Sequence, residues 1–195
     1  MAPDLNVTAM PNVDAAAKER IAEAVRARLA GLPGVRSAAL VSNVLPLGSD
    51  VLAVAGRAFN VRTATHDVAS QAVSPEYFQT AEVPLLAGRG FTAADAEDTI
   101  PVAIVNARLA QMYFPDGNAE GRQIKLGSPE DKSAQWLTIA GVAGNVKTAT
   151  VFQEMGYVTK PVVYQPIARR QGSSGGCSCA RQPNRWEWPK RCSRR

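Results

Sequence analysis

The sequence predicts an α+β fold: two small mixed α/β subdomains followed by a disordered C-terminal tail. Three observations carry that expectation. Ala17, Ile21, Val25 and Leu29 recur every fourth residue, and this helical period gives way across Gly31 and Leu32-Pro33-Gly34 to a run of Val, Ala and Leu. Beyond it, apolar runs of strand length alternate with glycine and proline breakers, and only short further helices are signalled. From Arg169 onward neither period persists.

A chain of 195 residues suffices for one core, or for two small subdomains sharing an interface. Aromatic residues are only 6% of the chain within a hydrophobic share of 46%, so Ala and Val supply much of the apolar content. That balance suits a modest core better than a deep ligand cavity. No window approaches the roughly 18–20 uninterrupted apolar residues of a membrane span, and the first residues have neither a basic nor an apolar leader region. The chain as given is therefore read as having no signal peptide and no transmembrane helix.

The net charge of +5 suggests a nucleic-acid partner until its distribution is considered. Residues 169–195 hold eight Lys/Arg and one Glu, and removing their +7 leaves −2 for residues 1–168. The body has no basic stripe to track a phosphate backbone, so no nucleic acid is expected. Cys177, Cys179 and Cys192 all lie in the tail. Their spacing lacks a fourth ligand and any C-x-x-C pair, and the lone His66 is far upstream, so no metal or other cofactor is expected.

Taken in order, Asn12 or Asp14 can cap an amphipathic helix that runs to about Leu29 and lies on a sheet. Val35–Val44 then reads as a strand. Val51–Ala55 and Phe59–Thr63 can form a hairpin across Gly56-Arg57, and Val68–Val73 is a further strand. Val73–Phe91 is the stretch around which the rest is organised. Ser74 before Pro75 reads as an N-cap with proline at the first helical position, opening a short helical turn whose buried weight is Tyr77 and Phe78. Gly88 and Gly90 offer positive φ before Phe91 and a second cap at Thr92. Residues 92–98, with Asp95, Glu97 and Asp98, read as a capped, solvent-facing acidic turn lacking the ligand order of a calcium loop.

Val102–Val105 is suited to an inner strand, and Asn106 caps the helix 107–114, which turns Leu109, Met112, Tyr113 and Phe114 inward. Residues 121–127 read as a half-exposed strand with Ile124 and Leu126 inward, pairing with the strand of residues 136–146. Gly141 and Gly144 mark a bulge or a crossing between subdomains. Lys160–Ile167, with proline near both ends, reads as an edge strand.

The sequence contains no reactive constellation. His66 and Asp67 are neighbours on an extended segment and point to opposite faces, which separates base from orienter, and no Gly-x-Ser-x-Gly elbow presents a nucleophile at Ser42 or Ser49. Gly141-x-x-Gly144 has no third glycine and no helix after it, and no P-loop lysine occurs.

Six ordered blocks carry a family resemblance: Val-Ser-Pro-Glu-Tyr-Phe at 73–78, Pro-Leu-Leu-Ala-Gly-Arg-Gly-Phe at 84–91, Val-Ala-Ile-Val-Asn at 102–106, Tyr-Phe-Pro at 113–115, Gly-Arg-Gln-Ile at 121–124 and Ile-Ala-Gly-Val-Ala-Gly-Asn-Val at 139–146. Together, and over residues 32–167, the chain resembles the periplasmic core domain of MacB-like ABC transporter permeases, in the group with duplicated permease modules. The resemblance implies residues 1–73 plus 148–168 as a first subdomain and 74–147 as a second. It also implies a non-catalytic, extracytoplasmic role: coupling ATP-driven conformational change to export or to partner proteins. ATP then belongs to a separate subunit or domain, a second permease copy completes the transporter, and the parent permease sits in the cell membrane. No catalytic residue is implied.

The tail fits this family poorly. In a shifted reading frame, the codons required by Trp186-Glu187-Trp188-Pro189 spell a small, apolar string of the kind the family carries next. Residues 169–195 are accordingly read as a frameshift-derived tail on a truncated permease fragment. Two readings of other classes remain open: a small hydrolase using His66, which needs a nucleophile and an acid in one pocket, and a nucleic-acid-binding protein using the basic tail, which needs that tail ordered.

Overall fold

The computed structural model describes residues 15–42, 50–59, 68–95, 100–146 and 159–167, without the side chains of residues 15, 16, 18 and 19. Its elements are α1 (Ala15–Ala30), β1 (Leu52–Val54), β2 (Ala69–Val73), α2 (Tyr77–Thr80), β3 (Leu85–Gly88), β4 (Val102–Asn106), α3 (Ala107–Tyr113), β5 (Gln123–Leu126), β6 (Leu137–Ala143) and β7 (Val162–Pro166). The strands form one mixed sheet in the order β1-β5-β6-β4-β7-β2, with β3 also paired to β6. The pairs β2–β7 and β4–β6 are parallel, and the others are antiparallel.

The centre of the sheet follows from its composition. Val-Ala-Ile-Val-Asn in β4 is buried at every position, as a strand covered on both faces requires. Period-2 alternation divides its side chains between two cores. Ala103 and Val105 join Val163, Ile139, Ile124 and Leu109 on the face that carries α3. Val102 and Ile104 join Val162, Tyr164, Val73 and Phe78 on the face that carries α2. The chain segments 1–73, 74–147 and 148–168 all contribute to this sheet: β7 pairs with β2 on one side and with β4 on the other.

Several elements differ from the sequence reading. Residues 35–40 join no strand, and among the described residues of the expected Val35–Val44 run Val41 alone bridges to Val73; residues 43 and 44 lie outside those described. β1 pairs with β5, leaving the expected hairpin partner largely in residues 60–67, outside those described. β7 is an inner strand: its prolines fall at or beyond the ends of the ladder, where a missing N–H does not interrupt pairing. β2 is buried at four of five positions and does not alternate. Met112 is 39% exposed, because the seven residues of α3 turn only Leu109 fully inward. α1 is helical as expected, but its stripe of Ile21, Val25 and Leu29 is only half-buried.

The turn after α2 uses Glu82 at φ 54, the single non-glycine residue with positive φ among those described. The N–H of Glu82 donates to Gln79, and that of Val83 to Phe78, closing the helix end in the manner of a left-handed cap. A side chain is strained in that conformation. Glu82→Gly is expected to raise stability by about 0.5–1 kcal/mol, read from the denaturant midpoint.

Candidate functional site

The residues singled out by sequence gather at four junctions. Each junction joins backbone segments that are distant in the chain.

The first lies at Ser74. Its hydroxyl accepts from the Leu40 N–H at 3.0 Å, and its own N–H donates to the Leu40 carbonyl at 3.0 Å. The expected N-cap role falls instead to Glu76, which sits in the αR region and makes no side-chain cap bond; Pro75 and Glu76 form the turn before α2. The Ser74 hydroxyl is drawn away because the segment before Val41 offers an unpaired N–H within reach. Ser42 does the same one step along: its hydroxyl accepts from Ala72 N–H at 3.0 Å and ties this segment to β2.

The second is aromatic. Phe78 packs edge-on against Tyr164 at 5.1 Å and Tyr77 at 5.4 Å, and tilted against Phe91 at 6.1 Å. Burial pushes the Tyr164 phenol up, with a smaller push from Tyr77. Tyr164 is fully enclosed, a position the spacing of β7 did not reveal.

The third is the crossing of β3 with β6. A Cβ on Gly88, at φ 68, would lie 2.2 Å from the Ala140 carbonyl oxygen, and one on Gly141 would lie 2.6 Å from that of Arg89. Only glycine allows so close an approach. The β6 ladder shifts register next to both strands, between Leu85 and Ala87 and between Ala103 and Ile104. Gly144 packs on Pro84, while Gly90 lies against Leu85 and does not adopt positive φ.

From this crossing the chain closes a clasp that the sequence reading placed in solvent. Arg89 donates to both carboxylate oxygens of Asp95, at 2.7 and 2.8 Å, and the backbone and hydroxyl of Thr92 donate to the same carboxylate. Asp95 is buried; Glu97 and Asp98 lie outside the described residues. Thr92-x-x-Asp95 was the available signal, since that spacing returns a carboxylate to a turn's free N–H. The Arg89 hydrogen bonds, assisted by Thr92 against the opposing effect of burial, lower the Asp95 pKa from 3.8 to about 2. A carboxyl depressed in the folded state stabilises fully above its unfolded value and loses that contribution as pH falls through the folded value. Stability is expected to decline between about pH 4 and pH 2, and Asp95→Asn is expected to flatten that limb of an acid titration followed by circular dichroism.

The fourth junction is Asn106. Its side-chain carbonyl accepts from Leu109 N–H, capping α3 as expected, and also from Val162 N–H, both at 3.0 Å. Its amide donates to the Lys160 carbonyl at 2.7 Å. One buried amide therefore fixes the end of β4, the start of α3 and the entry of β7.

Lys125 is a further buried polar residue that alternation concealed. Its ammonium donates to the Pro129 carbonyl at 3.1 Å and to that of Asp131, and lies 5.7 Å from the centre of the Trp136 ring. It pins the loop between β5 and β6.

Among the described residues no group of three or more His, Cys, Asp or Glu side chains could hold a metal ion. None of their helices is long and apolar enough to cross a membrane. His66, Asp67, Ser49, residues 147–158 and the tail lie outside the described residues.

No curated protein matches the sequence. The periplasmic region of MacB from Actinobacillus actinomycetemcomitans is similar in structure, with TM-score 0.51 and 15% identity over 79% of this chain and 58% of that one. The extracellular domain of the noncanonic ABC-type transporter YknZ from Gram-positive bacteria aligns with TM-score 0.47 and 18% identity over 79% of this chain and 66% of that one. The chain thus spans less than two thirds of either structure. A sequence model of the MacB-like periplasmic core domain matches residues 3–182, and the chain belongs to that family.

Proposed function

We propose that this domain is a non-catalytic, extracytoplasmic lever of an ABC transporter permease, coupling ATP-driven movement elsewhere in the transporter to export or to partner proteins. The family match over residues 3–182 carries this reading. The junctions agree with it, since Ser74, Asn106, Asp95 and Lys125 all direct their polar groups at backbone or at a neighbouring side chain. In this reading ATP is bound by a separate subunit or domain, and a second permease copy completes the assembly in the cell membrane. Residues 1–73 with 148–168 make one lobe and 74–147 the other, and 169–195 is a basic tail outside both. Load passes between the lobes along the β4–β7 ladder, and the β1–β5 ladder joins them again at the far edge of the sheet.

Two measurements test the proposal. The purified chain, incubated with ATP or with nitrophenyl esters, is expected to show no turnover above buffer; hydrolysis that His66→Ala abolishes would overturn the non-catalytic role. In the transporter carrying this domain, replacing residues 15–167 with a Gly/Ser linker is expected to abolish export while ATP hydrolysis continues. Unchanged export would overturn the coupling role.

A further inference from the structure

α1 is attached to the rest of the molecule differently from α2 and α3. α3 is seated by fully buried Leu109, and α2 by Phe78. Among the described side chains α1 contributes none to either hydrophobic cluster, and Ile21, Val25 and Leu29 are each only half-buried. Its ion pair to another element runs from Arg26 to Glu76, at 3.6 Å, between side chains that are 21% and 40% exposed. Arg26 is shared with Glu23 on its own helix at 3.0 Å.

The far side of this contact is polar and incompletely satisfied. Glu76 Oε2 and Thr80 Oγ1, one helical turn apart, are buried with no hydrogen-bond partner. Buried oxygens of this kind favour any opening that admits water to them. A long, part-exposed ion pair opposes opening only weakly and is screened by salt. After α1 the chain turns through Gly34, at φ 84, and is caught again where Leu40 meets Ser74. Between these points residues 35–39 belong to no ladder.

From these features we propose that α1 is a hinged arm, latched to α2 by Arg26 and Glu76, which undocks independently while the sheet remains folded. The turn at residues 31–34 is the hinge, and the Leu40–Ser74 tie is its fixed side. Elements with few buried apolar contacts open at low free energy, and α1 meets that condition. This property belongs to the chain itself and does not depend on the transporter reading.

Hydrogen exchange followed by mass spectrometry on the full chain tests it. Amides of α1 are expected to exchange through an opening nearly independent of denaturant, whereas those of β4 and β6 exchange by denaturant-dependent unfolding. Glu76→Gln removes the latch but keeps the Glu23–Arg26 pair. It is expected to accelerate exchange in α1 about two- to fivefold and to leave β4 and β6 unchanged. Raising salt from about 0.05 M to about 1 M is expected to do the same in the parent chain and to add little in the variant. Exchange of α1 in step with β4 and β6 would overturn the proposal. So would a Glu76→Gln variant that leaves α1 unchanged or accelerates every element equally.

Discussion

Phe78→Ala is expected to lower the free energy of unfolding by about 3–5 kcal/mol, seen as a lower denaturant midpoint with an unchanged slope. The ring is 4% exposed and meets Tyr77, Phe91 and Tyr164 at centroid distances of 5.4, 6.1 and 5.1 Å. Truncation loses its burial and opens a cavity that the remaining rings cannot close, because Tyr164 is held in β7 between two neighbouring strands. Phe78→Leu keeps most of the volume and is expected to cost less than half as much. Tyr77→Ala is expected to be milder than Phe78→Ala, since Tyr77 is only half-buried. Equal losses at residues 77 and 78 would show that α2 does not seat in the sheet by the Phe78 ring.

Asn106→Ala is expected to cost about 2–4 kcal/mol in the same measurement. The substitution leaves the Leu109 and Val162 N–H groups and the Lys160 carbonyl without the partner that now satisfies them. Asn106→Asp separates the contributions. It retains the acceptor for both N–H groups but removes the donor and places a second acceptor against the Lys160 carbonyl, so an intermediate loss is expected. If Asp proved as damaging as Ala, the amide donor, not the cap, would be the larger part of the junction.

How much of this was legible in sequence depended on whether a residue's partner lay nearby in the chain. Val102–Asn106 announced a buried strand ending in a helix cap, because both the apolar run and the cap distance are local. The same Asn106 also holds β7, more than fifty residues on, and no local pattern encodes that. Ser74 illustrates the opposite error. Its sequence context fits a cap, yet its hydroxyl is taken by Leu40, thirty-four residues earlier. Proline near both ends of residues 160–167 suggested an edge, but proline excludes a central position only where its N–H is needed, and here the ladder is made by the residues between. Lys125 was concealed because alternation assigns a lysine to solvent, whereas loop carbonyls and Trp136 enclose it. Gly88 and Gly141 were recognisable as glycines with a purpose; which backbone each admits became apparent only from the crossing.

The place of β7 in the sheet bears on how the protein is made. It is the last strand among the described residues, yet it lies between β2 and β4. While the ribosome is still synthesising the polypeptide, β4, β5 and β6 can pair as soon as they emerge, but among the described residues β2 has no ladder partner until Val162–Pro166 clears the exit tunnel. Until then, among the described residues, Ala69–Val73 is held by single bridges at its flanks, from Val41 and Asp50, and by the hydrogen bonds of Leu40 and Ser42. A translation product that stops short of Val162 therefore exposes two unpaired strand edges, and such nascent chains are expected to need chaperone cover or to aggregate.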